Sequence, residues 1–225
     1  MNTQTVRRIT GMSGVTTGIL GVATIPLYFM YTGNPPAWNV LTRNLITLVT
    51  TAVIIVFLSG LRELIKQADS RYEWVANIAH GAGLVLVSIT MVAHSMEVGG
   101  VLGHPSGSID PTVDGPLAEG SMLLHGSVGR IVTAVLLAAA GYAILHTAAL
   151  PAWAGWSAYI IAAVNLAFVP SLYFGRDAAE FYSAVGWGNS ALTASLLVYW
   201  VTAIGIAVLR PKGAVAEAAP VTAAH

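Results

Sequence analysis

The sequence predicts an all-α polytopic membrane protein, a bundle of six transmembrane helices, on three observations. Of its 225 residues, 56% are hydrophobic and only 9% charged, against about 25% charged in ordinary soluble proteins. Apolar runs of about 20 residues, enough to cross roughly 30 Å of hydrocarbon as helix, recur six times along the chain. The lysines and arginines fall unevenly on alternate connections between these runs, as they do when one side of a membrane is cytoplasmic.

Arg7 and Arg8 precede the first span, about Met12 to Tyr31. Its apolar run is too long for the core of a cleaved signal, which takes about 7 to 15 residues, so it reads as a retained span with cytoplasmic anchors. Gly14 and Gly18, four apart, and Gly21 give it a small-residue face suited to close helix approach, and Pro26 is placed to kink it. Asn34-Pro35-Pro36-Ala37-Trp38-Asn39 makes a short connection. Span two runs from about Arg43 to Gly60 and continues helically through Arg62-Glu63-Leu64-Ile65-Lys66-Gln67, where Glu63 is expected to pair with Lys66 or Gln67 along one face.

Span three covers about Trp74 to Val98, followed by a loop from Gly99 to Glu119 rich in Gly, Pro, Ser and Asp. Asp110, Asp114 and Glu119 lack the spacing of an EF-hand and read as a solvated connector. Span four, about Gly120 to His146, is longer than a crossing needs, so its first turns should project from the lipid. Pro151, Trp153 and Trp156 mark the next interface, and span five, about Gly155 to Phe174, contains Asn165 and Pro170. Arg176, Asp177 and Glu180 lie in a charged loop. Span six runs from about Trp187 to Leu209, which makes residues 1–212 one transmembrane domain and 213–225 a disordered Ala-rich tail.

With the N-terminus inside, Arg7, Arg8, Arg62, Lys66, Arg71, Arg210 and Lys212 all fall on the cytoplasmic side, and only Arg43, Arg130 and Arg176 fall outside. Both termini are therefore expected in the cytoplasm of a multi-pass protein of the cytoplasmic (inner) membrane. Tyr28, Tyr31, Trp38, Tyr173, Phe174, Tyr182 and Trp187 would form the outer aromatic belt, with Trp74, Trp153 and Trp156 the inner one. A net charge of zero leaves no basic face for nucleic acid, and the absence of cysteine excludes disulfides, thiolate metal sites and catalytic thiols. The expected partners are the lipid bilayer, a lipophilic small molecule, and a second copy or another membrane subunit.

Ionisable residues inside a membrane are costly and mark functional sites or paired cations and anions. At 100° per residue, His80, Met91 and His94 lie within about 60° of one another on span three, with Glu97 a turn beyond His94. The antiparallel span four brings His125 and Arg130 to the same level, where Arg43, Asn44 and Asn189 begin or end other spans. The sequence thus places an outward-facing polar pocket between spans two, three, four and six, with Glu97 and Arg130 as the expected ion pair.

Three chemistries fit such a pocket beside a purely structural role for the pair. The first is acid–base work on a lipid or isoprenoid, with Glu97, His94 and His125 as proton donors and acceptors. Arg130, Arg43, Asn44 and Asn189 would then bind substrate. In the second, Met91-Val92-Ala93-His94 and Met122-Leu123-Leu124-His125 repeat a Met-x-x-His spacing that would offer copper thioether and imidazole ligands. The third is a single haem b between His94 and His125; His80 and His94 have the 14-residue spacing of dihaem cytochromes, but His125 and His146, 21 apart, do not match it. Binding of a lipophilic small molecule is the leading expectation, with an acid–base enzyme and a haem- or copper-binding accessory subunit as the alternatives and no cofactor favoured.

The lead-in to span five, Leu150-Pro151-Ala152-Trp153-Ala154-Gly155-Trp156, and the charged exit of span two resemble uncharacterised six-span bacterial membrane proteins grouped as a domain of unknown function. The likeness covers most of the chain, implies a fold and brings no activity with it. An Asn-x-x-Trp-Glu motif of integral-membrane terpene cyclases is absent, Tyr72-Glu73-Trp74 having the reverse order.

Overall fold

The computed structural model describes residues 2–31, 33–104, 110, 114–115 and 117–210. The expected tail and Lys212 lie outside these residues. Among them there is no strand, and six helical segments are long and apolar enough to cross a membrane. They are α1 (Thr3–Phe29), α2 (Ala37–Ala68), α3 (Glu73–Gly103), the pair α4 (Ala118–His125) and α5 (Ser127–Thr147), α6 (Ala152–Phe168) and α7 (Thr193–Leu209).

The segments run alternately up and down, each packed on its neighbour in sequence, and α7 closes the ring by packing on α1. The closure has a sequence cause. Gly14 meets Gly205 across the interface so tightly that a Cβ on Gly14 would lie 2.8 Å from the Gly205 Cα and 2.8 Å from the Val201 carbonyl oxygen. Gly18 and Gly21 face Thr202 and Val198 on the same seam. This is the small-residue face expected of span one, and its partner is span six. The Arg7 guanidinium reaches the Val208 carbonyl at 2.9 Å, so the two termini sit at one end of the bundle.

The helices overrun the spans expected from hydropathy because polar residues at their ends bond locally. At the termini end, Glu73 accepts from Arg62 at 3.0 Å and from Lys66 at 2.7 Å, and Gln67 donates to Glu63 at 2.9 Å. Arg71 bonds Asp69 in the turn between α2 and α3 and holds its carboxyl below the ordinary carboxylate range. At the far end, Asn39 donates to the Leu27 carbonyl at 2.9 Å and ties the start of α2 to the last turn of α1. The α1 helix passes through Pro26 and ends three residues later. The 3₁₀ turn Val169–Tyr173 takes over at the end of α6, where Pro170 has no N–H to continue the α ladder.

Two departures from regular helix shape the far end. Span four is not continuous: it breaks at Gly126 (φ −88°, ψ −132°) into α4 and α5. A Cβ there would lie 2.6 Å from the Ala184 carbonyl oxygen, so the break requires glycine. Span six begins as a π-helical turn, Gly188–Leu192, before α7. Such a turn is uncommon and is frequent at functional sites.

The core is graded along the bundle. Toward the termini end it is apolar, with Phe57, Leu61, Ile65, Leu137, Ile144 and Ile204 fully buried, and Trp200 donating its indole N–H to the Ala154 carbonyl at 3.0 Å. Toward the far end the buried residues include Arg43, Asn44, His94, Glu97, Arg130, Asn165, Asn189 and Thr193. Exposed aromatic residues ring both ends, Trp74, Trp153 and Trp156 at one and Tyr31, Trp38, Tyr173 and Trp187 at the other.

Candidate functional site

The far-end polar layer divides into two clusters that meet at His125. The first joins α2, α3 and α4. Arg43, in the second turn of α2, is paired with Glu97 of α3, and their side chains are 5% and 6% exposed. The Arg43 guanidinium also lies over the Tyr28 ring of α1, 4.7 Å from its centroid. His94, one turn before Glu97, places Nδ1 2.6 Å from the Asn44 amide oxygen and 3.5 Å from Glu97 Oε2. Its Nε2 lies 3.2 Å from His125 Nε2, with the two rings edge to face and their centroids 4.6 Å apart. Ser121, one turn before His125, donates to the Ala93 carbonyl at 2.9 Å and so sets α4 against α3 at this level.

The second cluster is built on Arg130 and corrects the expected ion pair. Arg130 does not pair with Glu97. It donates Nε to the Gly126 carbonyl at 3.0 Å and Nη2 to the His125 carbonyl, and its Nη1 reaches Thr193 and, at 3.3 Å, Asn165. All four acceptors are neutral. The physical reason is the helix break: α4 ends at His125, its last carbonyls lie at the negative end of a helix dipole, and a guanidinium in the first turn of α5 is positioned to cap them. Glu97 is left to Arg43, which enters from α2.

Asn189, placed on the π turn, donates to Ser171 at 2.7 Å and to the Ala184 carbonyl at 3.0 Å, and holds the connection between α6 and α7 in place. Asn165, an interhelical contact on span five, does the same for α5. Of the proposed site residues, the structure therefore brings Arg43, Asn44, His94, Glu97 and His125 together, while Arg130 and Asn189 engage the framework. At the protein surface, Arg176 pairs with Glu119.

A cleft of about 180 Å³ opens beside Arg43, lined by Leu27, Tyr28, Tyr31, Gly33, Pro35, Arg43 and Asp110. Arg43 is only 4% exposed, and its Nε has no hydrogen-bond partner in the protein. The cleft lies between α1, α2 and the Asp110 segment, not among spans two, three, four and six. The sequence signal for it was level: Tyr28 precedes, and Arg43 follows, the same short connection by a similar number of residues. A second cleft of about 270 Å³, at the termini end between α1 and α2, is lined mainly by apolar residues with Glu63 at its rim and touches none of the buried ionisable groups.

The same geometry bears on the haem and copper that the sequence offers as alternatives. Two imidazoles on opposite faces of a haem iron need Nε2 atoms about 4 Å apart, twice a metal–nitrogen bond of about 2 Å, with the macrocycle between the rings. His94 and His125 are in direct edge contact, so a haem does not fit between them. Met91 is 39% exposed whereas His94 is 5% exposed, so the methionine and histidine of that Met-x-x-His segment do not share one buried site. Among the described residues, no three His, Asp or Glu side chains are grouped to hold a metal ion. His80 bonds Ser59 at 3.2 Å and His146 stacks on Tyr142, both toward the termini end.

No protein-family model, curated protein or solved structure matches the chain.

Proposed function

We propose that this chain is a multi-pass protein of the cytoplasmic membrane, with both termini inside, whose outward end binds the polar head of a lipophilic small molecule. The observation that carries this reading is the cleft at Arg43, where a buried guanidinium paired with Glu97 borders an opening between helices. A volume of about 180 Å³ is below the roughly 300 to 1,000 Å³ of sites that enclose a whole drug-sized ligand. It accommodates a headgroup, while an apolar tail lies along the exposed faces of α1 and α2. The Arg43 guanidinium and the hydroxyls of Tyr28 and Tyr31 favour a headgroup bearing carbonyl or hydroxyl oxygens.

The orientation rests on charge. Arg7, Arg8, Arg62, Lys66, Arg71 and Arg210 occupy the termini end, against Arg43, Arg130 and Arg176 at the other. A reporter fused after Arg210 is expected to register a cytoplasmic location; an external signal overturns the orientation.

The ligand reading is tested by mild-detergent purification of the full chain, extraction and mass spectrometry. One lipophilic species should be enriched over bulk lipid in the wild type. Its occupancy should fall about tenfold, the equivalent of ~1.4 kcal/mol, in Arg43→Gln. An unchanged lipid profile refutes the assignment. Acid–base chemistry on the bound molecule is the second reading, supported by the contact of His94 with both Glu97 and His125.

A further inference from the structure

At the termini end the acids among the described residues are Glu63, Asp69 and Glu73. Asp69 is paired with Arg71, and Glu73 takes both Arg62 and Lys66. Glu63 stands apart. It lies between Arg62 and Lys66 in sequence, yet among the described residues no cation pairs with it, and its bond is to the neutral amide of Gln67, which donates at 2.9 Å. A carboxylate on the flank of a membrane helix is stabilised by an opposite charge, and both neighbouring cations are committed to α3.

Glu63 is the charged end of the cleft of about 270 Å³ between α1 and α2. Positions 55, 56, 59, 60 and 63 share one face of α2, so its wall changes along the helix from Ile55 and Val56 through Ser59 and Gly60 to Glu63. Val6 and Ile9 of α1 form the facing wall. The two helices touch at the level of Gly60, where a Cβ would collide with Thr10 Oγ1. Ile9, Val56 and Ser59 are exposed, so the mouth opens on the outer flank of the bundle. The cleft is graded as a membrane is, apolar toward the middle of the span and charged at its end.

We propose that this cleft binds a single-chain lipophilic amine, its ammonium group on Glu63 and its hydrocarbon chain along Ile9, Ile55 and Val56. Charge selects the head, because the lining holds one carboxylate and no cation. An ammonium brings the missing positive charge and three N–H donors. Glu63 accepts from them, and so does Ser59, whose own hydroxyl hydrogen goes to the Ile55 carbonyl at 2.9 Å. A fatty acid would set carboxylate against carboxylate. A zwitterionic phospholipid would bring a phosphate as well, and Arg62 and Lys66, the cations nearest in sequence, are already bound to Glu73. Volume selects the tail: about 270 Å³ is just short of the roughly 300 Å³ at which enclosing sites begin, room for a head and the upper part of one chain.

This site is at the opposite end of the bundle from the Arg43 cleft, and its test does not depend on that cleft. The full chain is placed in phosphatidylcholine nanodiscs with dodecylamine carrying a photoactivatable diazirine near the end of its chain, and adducts are located by peptide mass spectrometry. They should fall on the α1 and α2 segments that line the cleft. Unlabelled dodecylamine should compete at least tenfold better than dodecanol, dodecanoate or phosphatidylethanolamine. Labelling should drop about tenfold in Glu63→Gln and be largely kept in Glu63→Asp. Equal labelling of Glu63→Gln and wild type overturns the proposal, as does equal competition by the alcohol. Competition by phosphatidylethanolamine as strong as by dodecylamine refutes the single-chain amine. Should Glu63→Gln fail to fold, competition on the wild type alone decides.

Discussion

Glu97 and Arg43 provide the sharpest check on the polar layer, because the sequence puts two arginines at the level of Glu97 and only one is bonded to it. Both partners are about 95% buried. With charge centres about 4 Å apart and an effective dielectric of about 20, their attraction is about 4 kcal/mol. Removing one partner leaves the other buried and uncompensated, which typically costs about 3–5 kcal/mol, whereas removing both eliminates that penalty. Arg43→Gln and Glu97→Gln should therefore each destabilise strongly. The double variant should be more stable than the sum of the two losses implies, by about 1–3 kcal/mol. The same cycle on Glu97 and Arg130 should give a coupling near zero, since the acceptors of Arg130 are carbonyls, Asn165 and Thr193. The cycle is read from reversible unfolding in mixed micelles, with helicity by circular dichroism as a second probe. A large Glu97–Arg130 coupling together with a small Glu97–Arg43 coupling would refute the pairing.

Three further outcomes follow from particular contacts. Gly14→Leu should weaken the α1–α7 seam by about 1–3 kcal/mol through overpacking, while Gly81→Ala, where a Cβ meets nothing within 4 Å, should be neutral or stabilising in the same assay. Gly126→Ala should disturb the α4–α5 break, because the new Cβ falls 2.6 Å from the Ala184 carbonyl oxygen; it should appear as faster proteolysis at the far end, and unchanged protection would contradict the packing. Arg130→Lys should lose most of the capping bonds while keeping the charge, and cost about 1–3 kcal/mol. An equal melting point for Arg130→Lys and wild type would show that the charge, not the fork of donors, holds the break.

The six spans were legible because hydropathy and helix length are properties of each segment alone. So was the depth of the ionisable residues, since antiparallel helices of known span place Arg43, His94, Glu97, His125 and Arg130 at one level. What a single sequence does not encode is the direction in which each side chain leaves its helix relative to its neighbours. Glu97 had two candidate cations at the same depth, and the choice between them depended on a break at Gly126 that no hydrophobic pattern reports. The glycines of span one announced a close contact without naming its partner, which proved to be Gly205 of span six. The π turn that places Asn189 was likewise invisible, because residues 188–192 carry no signal distinguishing it from an ordinary first turn. The histidines fared better: His94 and His125 were assigned to one level, and they touch.

The break in span four performs two tasks that a continuous helix would keep apart. Ending α4 at His125 leaves backbone carbonyls without intrahelical partners where the chain is buried, a cost that must be met locally. Arg130 meets it, and in doing so fixes the backbone from which the His125 ring projects toward His94. The cation that was expected to hold the site by charge instead holds it by geometry, one residue away from the chemistry. This also explains why an arginine bonded to no acid is tolerated at this depth: the end of the α4 dipole supplies the partial negative charge, and four acceptors take four of its five N–H donors. Glu97 is thereby free to serve Arg43 and His94 together, and the cleft opens beside the Arg43 guanidinium.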